Sequence, residues 1–152
     1  MISRAAPTDL PALTQLFRAY AASLPIDLGY QGFDDELAAL PGKYAAPDGA
    51  LLIARDANGA ALGCVAMRPL EPGVCEMKRL YVAPEGRGQG LGLQLARAII
   101  EAARARGYAE MRLDTLASMG QAQALYRRLG FTEIGAYYAT PIAGTVFMSL
   151  KL

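Results

Sequence analysis

The chain has 152 residues, 53% of them hydrophobic and 19% charged, so residues 1–152 are expected to form one domain that buries roughly two thirds of its unfolded surface. Fifteen Lys and Arg against fourteen Asp and Glu give a net charge of +1, which lacks the electrostatic footprint of a protein whose main partner is duplex nucleic acid or an anionic membrane. There is no histidine, so histidine-ligated metal, Ser-His-Asp and Cys-His chemistry are excluded, no metal is expected, and proton transfer falls to carboxylates, Tyr, Lys, Cys or water.

Residues 1–6 suit a short edge strand. From Thr8 or Asp9, either one an N-cap, Leu10, Leu13, Leu16, Phe17, Tyr20 and Leu24 recur at three- and four-residue spacing, which predicts an amphipathic helix ending before Pro25. Pro25 to Gly32 reads as a loop, and Asp34 to Leu40 as a shorter helix stopped by Pro41-Gly42. Residues 50–56 and 60–68 are apolar runs flanking Asn58-Gly59, a dipeptide that supplies the positive φ values of a tight turn between antiparallel strands. Pro69 to Gly73 reads as a second turn, and Val74 to Val82 as a strand ended by Pro84.

Gly88 to about Arg106 reads as a helix with Leu91, Leu95, Ile99 and Ala103 on one face, and Gly107 stops it before a strand at Ala109 to Leu113. Strand, helix and strand joined by short loops make a right-handed crossover with parallel strands. A helix from Ser118 to Leu129 follows, ended by Gly130, then strands near 131–138 and 144–151, the last closing the sheet. The fold expected is a single α/β domain: a mixed sheet of about six or seven strands, about four helices and one parallel crossover. Cys64 and Cys75 make no CxxC pair and lie in strand-like runs, so buried free thiols are expected. The N-terminus has no secretion signature and no apolar stretch reaches membrane length, which predicts a soluble cytoplasmic protein without a membrane partner.

The stretch from Pro84 to Gly92 places four glycines, Gly86, Gly88, Gly90 and Gly92, between a strand and a helix. Backbone N–H groups there can approach a ligand closely, the helix N-terminus favours a phosphate, and Arg87 adds a permanent positive charge. It is not a P-loop, since no lysine followed by a hydroxyl residue is present. The dinucleotide fingerprint GxGxxG fails in both registers, with Leu91 or Leu93 in the final place.

Arg87-Gly88-Gln89-Gly90-Leu91-Gly92 does match, in register, the Arg/Gln-x-x-Gly-x-Gly/Ala signature of the GNAT superfamily of acyl-CoA-dependent N-acyltransferases, which the chain resembles. Cys75 to Val82 is similar to that family's fourth strand, and Ala124-Leu125-Tyr126-Arg127-Arg128-Leu129-Gly130-Phe131 to the end of its last helix. The resemblance implies acetyl-CoA as cosubstrate, its pyrophosphate cradled by the N–H groups of Arg87, Gly88, Gln89, Gly90, Leu91 and Gly92. It also implies a pantetheine arm along the backbone of Leu80 and Val82, where the strands 74–82 and 109–114 splay apart. The chain departs from the family at Met119, where an asparagine that contacts the cofactor is common; Gln121 and Gln123 are the polar residues nearby.

Transfer from a thioester to an amine needs a deprotonated amine, a stabilised oxyanion and a proton for the leaving thiolate. Tyr126, the tyrosine of the family's LY pair, shares a helix face with Ala122 and Leu129, points to the sheet and is the expected acid. Glu76, where some members carry a strand glutamate, is the expected base, its carboxyl destabilised by an apolar strand; its other reading is a solvent-facing residue paired with Lys78 or Arg79. Asp114 is the reserve and Glu110 a weaker candidate, and the resemblance also implies the alternative of ordered water as the base, with Glu76 orienting the substrate. Tyr20, Asp27, Tyr30, Phe33, Tyr137 and Tyr138, from the first two helices and the last hairpin, are expected around the acceptor. The leading expectation is an N-acetyltransferase acting by direct transfer on a small or amino-acid-like amine, and less so on a protein N-terminus or lysine. The rival is a non-catalytic acyl-CoA-binding module. Pairing of the last strands would protect their edge in a homodimer.

Overall fold

Side chains alternate across an extended strand, and in the central strands of this protein both faces are apolar, so helices must cover both. The computed structural model describes residues 1–152 in that arrangement. The elements are β1 (Ile2–Arg4), α1 (Leu10–Ser23), α2 (Phe33–Ala38), β2 (Ala50–Arg55), β3 (Ala61–Glu71), β4 (Val74–Val82), α3 (Leu91–Ala105), β5 (Glu110–Thr115), α4 (Gly120–Arg128), β6 (Thr132–Ile134) and β7 (Val146–Lys151). One seven-stranded sheet runs β1-β2-β3-β4-β5-β7-β6, antiparallel throughout except for the β4–β5 pair. In β2, Ala50, Leu52 and Ala54 join a core beneath α3 and α4, while Leu51 and Ile53 join a second core beneath α1 and α2. No helix is long and apolar enough to cross a membrane.

The expected mixed α/β domain with one parallel crossover is therefore what forms, with local departures. The loop between β2 and β3 spans residues 56–60, and only Gly59 takes a positive φ (84°). Asn58 needs none, because the Asp56 carboxylate accepts the N–H groups of Asn58 and Ala60 and closes a longer, bulged turn. Pro69 lies inside β3 rather than in the following turn, paired with Cys75. Pairing with β2 ends at Met67, so the missing N–H of Pro69 falls where β3 has a free edge. The chain enters α1 through a separate 3-10 turn at Pro7–Asp9, and of the two expected N-caps it is Asp9 that precedes the helix, without a side-chain capping bond to α1. The Asp9 carboxylate accepts the Ala6 N–H and the Arg55 Nη2, both at 2.8 Å, and these bonds hold its pKa below the ordinary value. Finally, β7 is not the closing strand: it sits between β5 and the short edge strand β6.

Two features of β4 shape the site. Its parallel pairing with β5 is confined to Val74–Glu76 against Glu110–Arg112, so from Met77 to Val82 β4 has no strand on that side. Against β3 the register slips between Lys78 and Tyr81, and Arg79 takes φ = 61°, unusual for a residue with a Cβ. The bulge turns Arg79 to the face that Lys78 already occupies, since the Gln31 Oε1 accepts from both Lys78 Nζ and Arg79 Nη1 at 3.0 Å.

Candidate active site

The unpaired half of β4 leaves a groove of about 760 Å³. Leu80, Tyr81 and Val82 form one wall, Met119 to Ala122 of the α4 entry the other, and Arg87 and Gly92 its outer end. The expected helix start at Gly88 is corrected to Leu91, because Gly88 (81°) and Gly90 (72°) have positive φ and form the turn that aims the first N–H groups of α3 outward. A Cβ at Gly88 or Gly90 would meet nothing within 4 Å, and Gln89 is exposed, so this turn faces open space. The Arg87 Nε donates to the Val82 carbonyl at 3.1 Å, with the guanidinium 6.0 Å from the Tyr81 ring centroid. That carbonyl is thus engaged by the protein, whereas Leu80 faces the groove beside the bulge.

At the inner end, Tyr126 packs edge-on against Phe131 and is buried in the core under α4, as the helical spacing predicts. Burial pushes its phenol pKa upward. It lines a small cavity with Tyr20, Lys78, Leu80, Asp114 and Thr115. The buried Thr115 Oγ1 has no partner within the protein. Met119 is the residue just before α4 and lines both the cavity and the groove. Gln121 is exposed on the groove wall, and Gln123 donates to the Leu116 carbonyl at 2.8 Å, which fixes the turn into α4.

Glu76 is 1% exposed and does not line that cavity. Rather than facing solvent or a purely apolar wall, it accepts from Arg68 Nε at 2.8 Å and Tyr137 OH at 2.5 Å, and Lys78 Nζ lies 4.0 Å away. The Arg79 guanidinium turns instead to Glu36, in a two-bond pair at 2.9 Å. The carboxylate that does share the cavity with Tyr126 is Asp114, which accepts from Tyr138 OH. Glu110, at the opposite end of β5, is bonded to Arg112 and Ser149, and those bonds hold its pKa down. Desolvation lowers the pKa of Lys78, with the Glu76 charge opposing it.

Of the residues expected around the acceptor, Tyr20, Tyr30 and Tyr138 line cavities. Phe33 is core beneath the Arg79 guanidinium, Asp27 is spent accepting the Gly29 N–H, and Tyr137 sits over Glu76 and Arg112. Sequence reasoning missed Gln31, Glu36 and the Arg68, Lys78 pair of cations. The signal for Lys78 was present: Lys78 and Arg79 are adjacent in a strand covered on both faces, so neither face offers them bulk water, and both are buried.

The sequence profile of the acetyltransferase (GNAT) family matches residues 13–131. An uncharacterised N-acetyltransferase of Schizosaccharomyces pombe is 46% identical over 147 residues, spanning 96% of this chain and 90% of that one. The Escherichia coli N-acetyltransferase YjgM, also uncharacterised, is 33% identical over 149 residues, 95% of this chain and 87% of that one. Among solved structures, an acyl-CoA N-acyltransferase from Klebsiella pneumoniae superposes with a TM-score of 0.79 at 33% identity, over 100% of this chain and 97% of that one. With the profile spanning most of the sequence and relatives matching it nearly end to end, the chain belongs to the GNAT family of acyl-CoA-dependent N-acetyltransferases.

Proposed function

We propose that the protein moves the acetyl group of acetyl-CoA directly to the primary amine of a small molecule while both substrates are bound. The observation that carries this reading is the groove beside the unpaired half of β4, with glycine N–H groups at its outer end and Tyr126 at its inner end. The open turn from Arg87 to Gly92 suits a pyrophosphate, and the edge of β4 from Leu80 to Val82 suits an extended chain of amides, with the Val82 carbonyl held by Arg87.

The amine nitrogen attacks the thioester carbon, the carbon–sulfur bond breaks, and the sulfur takes a proton from the Tyr126 phenol. Burial keeps that phenol protonated at neutral pH, so it suits a donor. Asp114, in the same cavity, takes the proton that the amine loses, directly or through water; Glu76 orients Arg68 and Tyr137. A route through an acyl-cysteine is disfavoured. Cys64 and Cys75 are buried, desolvation pushes both thiols up to about 12, and Cys64 donates to the Arg79 carbonyl. Two unbridged thiols suit the cytoplasm, and the exposed edge of β6 suits pairing with a second copy.

Release of CoA thiol from acetyl-CoA with a pooled amine panel tests the reading. Turnover is expected, and Tyr126→Phe should lower kcat about 10- to 1000-fold with acetyl-CoA affinity unchanged. CoA binding without thiol release under any amine would instead favour a binding module, and release only with peptides a protein acetyltransferase.

A further inference from the structure

Beside the Tyr126 cavity lies a second pocket of about 230 Å³, lined by Tyr30, Gln31, Arg68, Lys78 and Tyr138. Lys78 lines both, so the two meet at its side chain. Both have cations in their linings, Lys78 and Arg79 in the first and Arg68 and Lys78 in the second, but only the first has a carboxylate. The first holds a carboxylate, Asp114, where the attacking nitrogen must arrive. The second is lined by two cations and no carboxylate, because Glu76 sits behind Arg68 and Lys78, almost wholly buried.

The donors are also directed. The Lys78 ammonium has three N–H groups and spends one on Gln31, with Glu76 only at 4.0 Å. Arg68 commits its Nε to Glu76, which fixes the plane of the guanidinium and leaves its two Nη groups as a fork for an anion. Lys78 is 8% exposed, and a buried ammonium gains more from an added anionic partner than a solvated one does. The same pocket repels a second ammonium, which disfavours polyamines and lysine-rich chains.

We propose that the acceptor is a zwitterion of the free amino-acid kind, its amine directed to Asp114 and Tyr126 and its carboxylate bound by Lys78 and Arg68. This rests on the acetyltransferase reading and narrows its substrate. It makes Lys78 a specificity-determining residue, placed where the acceptor and thioester pockets join.

The test uses the twenty common L-amino acids in three matched sets, as free acids, as carboxamides and as the decarboxylated amines, each with acetyl-CoA and a thiol readout. For the best free acid, kcat/KM should fall at least tenfold in its carboxamide and again in its amine, mostly through KM. In Lys78→Met, checked for a native melting transition, that preference should collapse to within about threefold, the remainder being due to Arg68. Carboxamides or amines used as well as the acids would overturn the inference while leaving acetyl transfer standing. So would a preference that survives intact in a folded Lys78→Met. Silence of all three sets, with thiol release from other members of the wider amine panel, would likewise overturn the zwitterion and keep the enzyme; silence everywhere would remove both.

Discussion

At the scale of single residues, the placement of two carboxylates separates two roles that the sequence leaves together. Asp114 shares a cavity with Tyr126, whereas Glu76 is sealed behind Arg68, Tyr137 and Lys78. A group that receives the amine proton matters most at low pH, where the neutral amine is scarcest. Asp114→Asn should therefore depress kcat/KM progressively as pH falls, with the variant and wild-type curves converging at high pH. Glu76→Gln should shift the whole curve without bending it; a bend in the Glu76→Gln curve and none in the Asp114→Asn curve would exchange the roles. Tyr126 was legible because a tyrosine at helical spacing from Ala122 and Leu129 can only face the sheet. The environment of Glu76 was not, since Tyr137 and Arg68 reach it from segments 61 and 8 residues away. Nor was the direction of Arg79, because strict alternation puts it on the face opposite Lys78 and only the bulge reverses that.

At the scale of elements, the turn into α3 is where conformational freedom and close approach must be told apart. A bulky residue at Gly90 would be strained by its positive φ before any ligand arrives, so loss of function there has two causes. Gly92 lies in the first turn of α3 with no positive φ, lines the groove, and a Cβ there meets only the Val82 Cγ2 at 3.8 Å. Gly92→Val should keep stability, or raise it by about 0.5 kcal/mol through helix propensity, while weakening CoA binding at least tenfold in calorimetry. Unchanged affinity in the folded variant would move the cofactor away from this turn. The helices were legible from three- and four-residue spacing, and the parallel crossover from its loop lengths. The exceptions have physical causes: Pro69 is tolerated in β3 only because β2 has already ended beside it, and the order of β6 and β7 depends on which partner β5 accepts. Neither is written in the local sequence.

At the scale of the whole molecule, the sheet is two pieces joined by a short seam: three residue pairs connect β4 to β5, and beyond them the strands on either side are held together by α3, α4 and their shared core. In the proposed reading acetyl-CoA lies along that opening and ties its two sides. Its binding should raise the melting temperature, by an amount equivalent to about 2.7 kcal/mol at a hundredfold excess over Kd. It should also slow amide exchange most in residues 77–82 and 113–122 rather than across β1 to β3; uniform protection would place the ligand elsewhere. The seam has a consequence for the life of the protein as well as for its chemistry. If acetyl-CoA completes the sheet in this way, the empty chain is the form most open to local unfolding, and hence to proteases, when that substrate runs short. Abundance of the enzyme should then follow the supply of acyl-CoA with no separate regulator, falling in starved cells through turnover of the empty chain.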